Sequence, residues 1–387
     1  MTAPRIFLIA GEASGDLLGA ALMRALRAAS PQVAFAGVGG EAMARAGLAS
    51  LFPLEDIAVM GLVPVLARLP RLLRRIGETA RAIIDQDPEC LVIIDAPDFT
   101  HRVARRIRAA RPELSIVDYV SPTVWAWRPG RARAMRDYVD CVLALLPFEP
   151  QAHARLGGPR CVYVGHPLVE RLDELTPHSR DRDGARSLLV LPGSRLAEVR
   201  RMTPIYGETL ELLLRERADF DVVIPVAPFM EQALRRELQG WPMTPRLIGQ
   251  AEKFAAFRKA RAALVTSGAA TLELALAEVP MAVAYRVSHA ESLLRFLVNV
   301  DSIVLPNLII GENVTPEFLQ DQATPRALAG ALRPLFGESA ARDAQLAAFK
   351  RVRARLLEAG RSPSARAAEI VLEYASCGRA SGDQNGN

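Results

Sequence analysis

Two acidic residues, each placed after a short apolar run, are the first candidates for chemistry in this sequence. Glu12 follows residues 5–10 in the segment AGEASGD, and Asp95 follows residues 90–94 in the segment IDAPDF. Apolar runs of this length are typical of buried strands, so both carboxylates are expected at the carboxyl edge of a strand. Burial there raises the pKa of a carboxylate, which suits a general base or a substrate-binding acid.

A structural role is the alternative for both acidic segments. Asp95 is equally suited to capping a turn, and Asp98 is better explained as the cap of the following helix. In the first segment, Ser14 or Asp16 would cap a helix, and Glu12 would then belong to an ordinary strand–helix turn. The segment lacks the GxGxxG pattern, so a dinucleotide site is poorly supported.

The segment YVSPTVWAWR at residues 119–128 combines two tryptophans with an arginine. Indole faces stack on sugars and cations, and a guanidinium binds phosphate, so Trp125, Trp127 and Arg128 are candidates for a sugar-phosphate site. The alternative is that both indoles belong to the hydrophobic core. His166, in the segment VGHP, follows the last apolar run of the first half and is expected at a hinge or a cleft.

Two loops rich in small residues follow apolar runs in the second half. Backbone amides at a helix start bind phosphate, Arg195 adds a cation, and Glu273 is suited to gripping ribose hydroxyls. The alternative for Glu273 is a solvated helix carboxylate or a capping box with Ala270, which an alanine makes improbable. The candidate donor-binding residues in these loops, LPGSR and SGAATLE, are Gly193, Ser194, Arg195, Ser267, Gly268, Thr271 and Glu273.

Residues 57–84 interleave apolar residues with arginines, and Pro64 and Pro70 are expected to break this stretch into segments. A basic amphipathic segment can lie on an anionic membrane surface. A core-facing helix with a solvated arginine face is the alternative, which the pattern alone slightly favours. The candidate membrane residues are Leu62, Val63, Leu66, Leu69, Leu72, Leu73, Arg68 and Arg71.

Composition excludes several classes of protein. The 387 residues are 50% hydrophobic and 24% charged, which rules out a disordered chain. The net charge of +5 comes almost wholly from arginine, so nucleic acid, anionic lipid and phosphorylated small molecules are candidate partners. No apolar run approaches the ~20 residues that span a bilayer, and the amino terminus leads directly into a strand pattern, so we expect a cytoplasmic protein. The four cysteines show no metal-binding spacing and are expected to be reduced.

Apolar runs alternate with amphipathic stretches, which predicts an α/β protein with parallel sheets. The charged residues 171–186 lack apolar periodicity and read as a linker, which separates a domain at 1–170 from a second at 187–376. Each is expected to be a doubly wound, Rossmann-type domain facing a cleft at the strands' carboxyl ends. The stretch 325–376 is expected to be helical, and 377–387 to be a polar tail.

The motifs, taken in their order along the chain, closely resemble those of the lipid-A-disaccharide synthase family. The resemblance covers about residues 5–375 and implies a metal-independent, inverting glycosyltransferase of the two-Rossmann (GT-B) fold that needs no cofactor. It implies transfer from UDP-2,3-diacylglucosamine to 2,3-diacylglucosamine 1-phosphate (lipid X), giving the β-1,6-linked lipid A disaccharide 1-phosphate and UDP. The matching segments are AGEASGD, IDAPDF, YVSPTVWAWR, VGHP, LPGSR, SGAATLE and LPN at residues 305–307.

The resemblance also implies roles for individual residues. Asp95 matches the essential aspartate and would be the general base, and Glu12 would place the acceptor or the base. In the second domain, Arg195 and the amides after Ser267 would hold the diphosphate, Glu273 the ribose, and Asn307 the donor. The first domain would bind the acceptor and dock on the anionic inner membrane through residues 57–84, and a homodimer is suggested. The acceptor or cleft residues would be Ser14, Asp98, Trp125, Trp127, Arg128 and His166.

Two other functions fit the same residues. Another UDP-sugar enzyme of this fold, such as a 2-epimerase, would accept an unacylated donor. A nucleotide-regulated protein that binds membranes would have no use for a general base. Nucleic-acid binding is weaker, because the arginines of residues 68–81 alternate with leucines and do not form a polar stripe.

Overall fold

The protein is described by a computed structural model that covers residues 4–57, 62–178, 186–216, 220–287, 301–360 and 362–377. Of residues 62–69 and 377, only the backbone is described. The chain divides into two compact units, of which the first comprises Met1–Val169 and Leu357–Asn387 and the second Glu170–Leu356.

Each unit contains a six-stranded sheet in which all neighbouring strands are parallel. The first has the order β2-β1-β3-β4-β5-β6 and the second β12-β11-β10-β7-β8-β9. The strands of the first are β1 (Arg5–Ala10), β2 (Ala34–Val38), β3 (Cys90–Ile94), β4 (Ser115–Tyr119), β5 (Cys141–Ala144) and β6 (Arg160–Tyr163). Those of the second are β7 (Leu188–Leu191), β8 (Val222–Pro225), β9 (Arg246–Ile248), β10 (Ala262–Thr266), β11 (Met281–Tyr285) and β12 (Glu317–Leu319).

Helices connect these strands, as parallel pairing requires. Those from the amino terminus to the middle of the chain are α1 (Ala13–Ala29), α2 (Glu41–Arg45), α3 (Leu62–Gln86), α4 (Pro97–Ala110), α5 (Gly130–Met135), α6 (Glu149–Arg155) and α7 (Leu172–Leu175). The later ones are α8 (Leu196–Glu216), α9 (Pro228–Glu237), α10 (Lys253–Lys259), α11 (Ala270–Leu276), α12 (Leu305–Ile310), α13 (Pro325–Phe336), α14 (Ala340–Leu357) and α15 (Pro363–Cys377). Short 3₁₀ helices cover Leu54–Asp56, Pro167–Arg171, Gln250–Glu252 and Gln320–Gln322.

Helices cover both faces of the first sheet, which explains why its central strands β1 and β3 consist almost entirely of buried apolar residues. Helices α1 and α15 cover one face, where Leu22, Met23 and Val371 pack with Val92. Helices α3 and α4 cover the other, where Ile76 packs with strand residues. In the second unit, α8 and α13 pack against each other and on the sheet.

The predicted α/β class with two doubly wound units of parallel strands is confirmed. The helical character predicted for residues 325–376 is also confirmed. A cleft between the domains stays a prediction. Among the described residues no helix is both long and apolar enough to span a membrane. Cys90, Cys141 and Cys161 are free thiols, and the side chain of Cys377 lies outside the described part.

The domain boundaries differ from the expected ones at both ends of the second unit. The carboxyl-terminal helix α15 belongs to the first unit, because its apolar residues complete the core beneath α1, β3 and β4. Part of the expected linker, Leu172–Leu175, forms α7 and packs on α10 and α11. Linker residues 179–185 and tail residues 378–387 lie outside the described residues.

We expect Ile370→Ala to destabilise the first unit by about 2–5 kcal/mol, because Ile370 on α15 is buried in that core. Hydrogen exchange measured by mass spectrometry should show faster exchange in β1, β3 and β4 than in β7 and β10. Glu373→Ala, an exposed position on the same helix, is the control. Faster exchange confined to the second unit would contradict this assignment of α15.

Candidate active site

The two acidic segments meet at the switch point of the first sheet. Strands β1 and β3 are neighbours, and Ala10 at the end of β1 pairs with Ile94 at the end of β3. From β1 the sheet continues to β2 on one side and to β3 on the other. Ligands of open α/β sheets bind at such a point, outside the carboxyl ends of the strands. Glu12 and Asp95 both follow these strand ends, as predicted.

The backbone around Asp95 has an uncommon conformation that brings the two turns together. Asp95 and Ala96 have φ angles of 54° and 45°, which non-glycine residues rarely adopt outside functional or tightly packed sites. A Cβ atom on Gly11 would lie 2.0 Å from the Cβ of Ala96, so only glycine fits there. The N–H of Asp95 donates to the carbonyl of Tyr119 (3.2 Å), and the hydroxyl of Thr100 donates to the carbonyl of Asp95 (2.7 Å).

The electrostatic environment of Asp95 favours the protonated form of its carboxyl group more than that of an exposed aspartate does. Burial, followed by the negative charge of Glu12, raises the pKa of Asp95 to about 6. The carboxylate of Asp118 adds to the rise, while the backbone N–H of Ala96, which donates to Asp95 Oδ1 at 2.7 Å, opposes it. The hydroxyl of Ser14 donates to the carboxylate of Glu12. The negative charge nearby makes Asp95 bind a proton more readily than an isolated aspartate does.

The capping roles expected in the first segment are wrong. Ser14 caps no helix, since its hydroxyl is bound to Glu12. The buried carboxylate of Asp16 accepts hydrogen bonds from the N–H groups of Gly40, Ala42 and Met43 at 2.8–2.9 Å. Asp16 therefore caps the start of α2, an element that is distant in sequence.

Asp98 is also not a cap. Its side chain is 87% exposed and lies 3.8 Å from Arg131. The N-cap residue of α4 is Ala96, which makes no side-chain cap hydrogen bond. The helix instead begins with Pro97, which lacks the N–H group that a cap would satisfy.

The two indoles of the tryptophan segment have different environments. Trp125 donates from Nε1 to Glu149 Oε1 (3.2 Å), and its ring packs edge-to-face on Phe148 with centroids 5.1 Å apart. Trp127 is half-buried, and the guanidinium of Arg128 lies 5.5 Å from its ring centroid. Arg128 is exposed and has a φ of 53°. Trp125 is therefore held by the protein, while Trp127 and Arg128 remain accessible to a ligand.

His166 lies close to the division between the two units. Its Nδ1 accepts a hydrogen bond from the N–H of Leu168 (3.2 Å), and burial lowers its pKa to about 4. The imidazole is therefore neutral at physiological pH. The preceding Gly165 has a φ of 100° and packs against Pro363 at the start of α15. A role for His166 in a hinge or in a cleft stays a prediction.

A cavity of about 430 Å³ lies in the second unit. It is at the carboxyl ends of β7, β8 and β10, where β7 and β10 form the switch point of this sheet. Six of the predicted donor-binding residues line it, so the structure brings together two loops that are more than 70 residues apart in sequence. These six are Gly193, Ser194, Arg195, Ser267, Gly268 and Glu273.

The LPGSR loop is held by a carboxylate that the sequence analysis missed. Glu198 Oε2 accepts the N–H groups of Ser194 (3.1 Å) and Arg195 (3.3 Å), and Oε1 accepts from the Arg195 guanidinium (2.9 Å). A Cβ atom on Gly193, which has a φ of 121°, would lie 2.6 Å from the Cβ of Glu198. These amides are thus bound by the protein's own anion, and the cation of Arg195 lines the cavity. The sequence feature that could have indicated this role of Glu198 is its position in the first turn of α8, where a glutamate can bind the N–H groups that precede the helix.

A partly buried ion pair also lines the cavity. Lys253 Nζ lies 2.5 Å from Glu273 Oε2, and both residues line the cavity. The solvated-carboxylate interpretation of Glu273 is therefore wrong, since a cation from α10 compensates its charge. Lys253 was missed, and no motif around it marks it. Among the described residues no cluster of three His, Cys, Asp or Glu side chains could hold a metal ion.

Three predicted donor-binding side chains are used by the protein itself. The hydroxyl of Thr271 donates to the carbonyl three residues earlier (2.8 Å), and that of Ser267 to a carbonyl 36 residues later (2.8 Å). Asn307 is 1% exposed, and its amide both donates to the carbonyl of Thr315 (2.9 Å) and accepts its N–H (3.0 Å). These bonds order the loops around the cavity, and only Ser267 lines it.

The arginine-rich segment forms one helix, α3, that contains Pro70 in its interior, contrary to the expected break. Leu72 is 8% exposed and belongs to the core, so its predicted membrane role is wrong, whereas Leu73 is 50% exposed. Arg71, together with Arg75, is paired with the buried Asp56. The side chains of Leu62, Val63, Leu66, Arg68 and Leu69 lie outside the described residues.

Comparison with known proteins decides the family. The family model described as lipid-A-disaccharide synthetase matches residues 6–371. The chain belongs to the lipid-A-disaccharide synthase family. A lipid-A-disaccharide synthase of Nitrobacter hamburgensis is 54% identical over 376 residues, which cover 95% of both chains. A lipid-A-disaccharide synthase of Rhodospirillum centenum is 46% identical over a region that covers 95% of this chain and 94% of the relative. The predicted family, glycosyltransferase class and place in lipid A biosynthesis are confirmed.

Solved structures agree on the fold. A calicheamicin glycosyltransferase superposes with a TM-score of 0.60 at 17% identity, covering 97% of this chain and 99% of its own. A UDP-GlcNAc 2-epimerase from Neisseria meningitidis, solved with bound UDP-GlcNAc, superposes with a TM-score of 0.59 at 11% identity, covering 95% and 98%. At these identities the likeness concerns the fold alone, and it confirms the GT-B-like class.

We expect Glu12→Gln to lower the pKa of Asp95, because the substitution removes a neighbouring negative charge. A base acts when deprotonated, so wild-type kcat/KM should fall as the pH drops below about 6. The acidic limb of the variant's profile should lie at lower pH. Glu41→Gln, at an exposed position, is the control and should keep the wild-type profile. A limb that stays in place would contradict the coupling.

Proposed function

We propose that the protein joins UDP-2,3-diacylglucosamine to 2,3-diacylglucosamine 1-phosphate by direct inverting displacement. The products would be the β-1,6-linked disaccharide 1-phosphate and UDP. Family membership supports the substrates, and one observation supports the mechanism: Asp95, with a raised pKa, is paired with Glu12 at the switch point of the first sheet.

Asp95 acts as the general base in this proposal. Its carboxylate takes the proton of the acceptor's 6-hydroxyl while that oxygen forms a bond to the anomeric carbon of the donor. The bond from that carbon to the diphosphate breaks at the opposite side, so the configuration inverts and UDP leaves with the electron pair. A base with a pKa of about 6 is deprotonated at neutral pH and still accepts a proton readily.

The cavity of the second unit is the proposed donor site. Its volume of about 430 Å³ is within the usual range for a small-molecule ligand. Arg195 supplies a cation for the diphosphate, and Glu273, oriented by Lys253, accepts hydrogen bonds from the ribose. Fixed cations stabilise the charge that develops on the leaving diphosphate, so we propose that the reaction needs no metal or cofactor.

The acceptor's sugar and phosphate are assigned to the first unit. Trp127 offers an aromatic face, and Arg128 has no ion pair among the described side chains. A planar guanidinium binds phosphate with two hydrogen bonds, so Arg128 suits the acceptor's 1-phosphate. The homodimer that the resemblance suggests stays a prediction.

Asp95→Asn should reduce disaccharide formation roughly 100- to 10,000-fold, because an amide cannot accept the proton. UDP affinity should stay the same, since the donor cavity is in the second unit. Asp137→Asn, at an exposed position with no assigned role, is the control and should retain most activity. Products would be measured by mass spectrometry with both acylated substrates, with and without EDTA. Unchanged turnover of the Asp95 variant would show that Asp95 is not the general base. Loss of product in the presence of EDTA would show that the reaction needs a metal ion.

We also propose that α3 docks the enzyme peripherally on the cytoplasmic face of the anionic inner membrane. Leu73 is a large apolar side chain that is half exposed on a helix with several arginines. Exposed apolar residues beside cations favour contact with a surface that is apolar inside and anionic outside.

Leu73→Ser should weaken association with vesicles of anionic phospholipid by about 1 kcal/mol, roughly fivefold, without loss of stability. Flotation of the full chain with such vesicles measures this. Leu357→Ser, at an exposed leucine on α14, is the matched control and should bind like the wild type. Equal binding by the two variants would show that Leu73 does not contact the membrane.

A further inference from the structure

The segment that carries Trp127 and Arg128 is fastened to one helix at two points. We define residues 120–128 as the Trp loop. Ser121 Oγ lies 2.8 Å from His153 Nε2, and Trp125 Nε1 donates to Glu149 Oε1 at 3.2 Å. Glu149 and His153 are one turn apart on α6, and both are buried. Helix α6 is therefore the support on which the Trp loop rests.

Glu149 connects two loops through a single carboxylate. Its Oε2 accepts the N–H groups of Leu145 (3.1 Å) and Leu146 (2.9 Å), which follow β5, and its Oε1 accepts the indole N–H from the loop after β4. The residue is 3% exposed, and burial raises its pKa to about 7 against the effect of these donors. Burying a carboxylate at this depth costs folding free energy unless its oxygens accept hydrogen bonds. The three hydrogen bonds to Glu149 therefore indicate that it has a structural role in holding the two loops.

The Trp loop is held in a conformation that its sequence would not adopt freely. Val120 at its start and Arg128 at its end have φ angles of 87° and 53°. Such angles in non-glycine residues cost of order 1–3 kcal/mol each and persist only where surrounding contacts impose them. Val120 is β-branched, which makes its angle still less favourable.

The loop begins beside the proposed base. The N–H of Asp95 is bonded to the carbonyl of Tyr119, one residue before the loop. At the other end, Arg128 stands exposed next to the ring of Trp127. Because Trp125 belongs to the same loop, a shift of Trp125 would move Trp127 and Arg128 relative to Asp95.

We infer that Glu149 is a positioning residue for acceptor binding, which fixes the Trp loop through Trp125 so that Trp127 and Arg128 meet the acceptor's sugar and phosphate. This inference rests on the proposed function, because it assumes that the first unit binds a phosphorylated sugar acceptor. Glu149 itself is too deeply buried to contact the acceptor.

Two substitutions remove the tie between Glu149 and Trp125 with little change in shape. In Glu149→Gln the amide oxygen still accepts hydrogen bonds from the N–H groups of Leu145 and Leu146. The NH₂ group is a donor that faces the indole N–H, so it cannot accept the hydrogen bond from Trp125. In Trp125→Phe a ring remains to pack on Phe148, but the N–H is lost. Loss of the hydrogen bond to the buried Glu149 side chain is expected to raise the acceptor KM about tenfold in each variant.

The experiment measures steady-state kinetics of the two single variants and the double variant, with Glu113→Gln at an exposed position as the control. We expect the acceptor KM to rise while the donor KM and the thermal midpoint stay near those of the wild type, and kcat to change much less. The double variant should be no worse than either single variant, since both break one bond.

Other outcomes overturn the inference. An unchanged acceptor KM in either single variant would show that the tie does not position the loop. Additive effects in the double variant would show that Glu149 and Trp125 act separately. A lowered thermal midpoint and kcat with the acceptor KM unchanged would assign Glu149 to stability alone. Absence of disaccharide product from the wild type would instead overturn the proposed function, and the inference with it.

Discussion

The close approach of two backbone turns at the switch point of the first sheet is the constraint on which the candidate active site depends. Parallel pairing of β1 and β3 ends both strands at the same edge, and Gly11 lets the turns touch where a side chain would collide with Ala96. Two carboxylates are thereby held together in a partly buried place. Their mutual repulsion, added to burial, makes Asp95 a stronger base than an exposed aspartate.

The two units use carboxylates in opposite ways. In the second unit, Glu198 and Glu273 each have a cationic partner, Arg195 and Lys253, so they shape the cavity and present cations to it. In the first unit, Asp95 faces another acid, so its charge is uncompensated. Ion pairs between opposite charges order the residues around the cavity, whereas the neighbouring like charge raises the pKa of Asp95.

Much of the fold could be read from local pattern. Buried strands of a parallel sheet are mostly continuous apolar runs, and their alternation with amphipathic stretches predicted the α/β class. The positions of Glu12 and Asp95 after such runs predicted their place at a sheet edge. Two of the failures arise because the partner lies far along the chain. Asp16 caps α2 instead of its own helix, and α15 returns to the first unit.

The sequence by itself determined the family, the alternation of strands and helices, and the residue types at each strand end, because motifs and periodicity are local properties. Only the tertiary structure decided which side chains meet. It paired Glu273 with Lys253, buried Leu72 while exposing Leu73, and placed Glu149 beneath Trp125. The reason is physical: burial and charge pairing depend on distances in space, and the chain sets those distances only when its sheets and helices have packed.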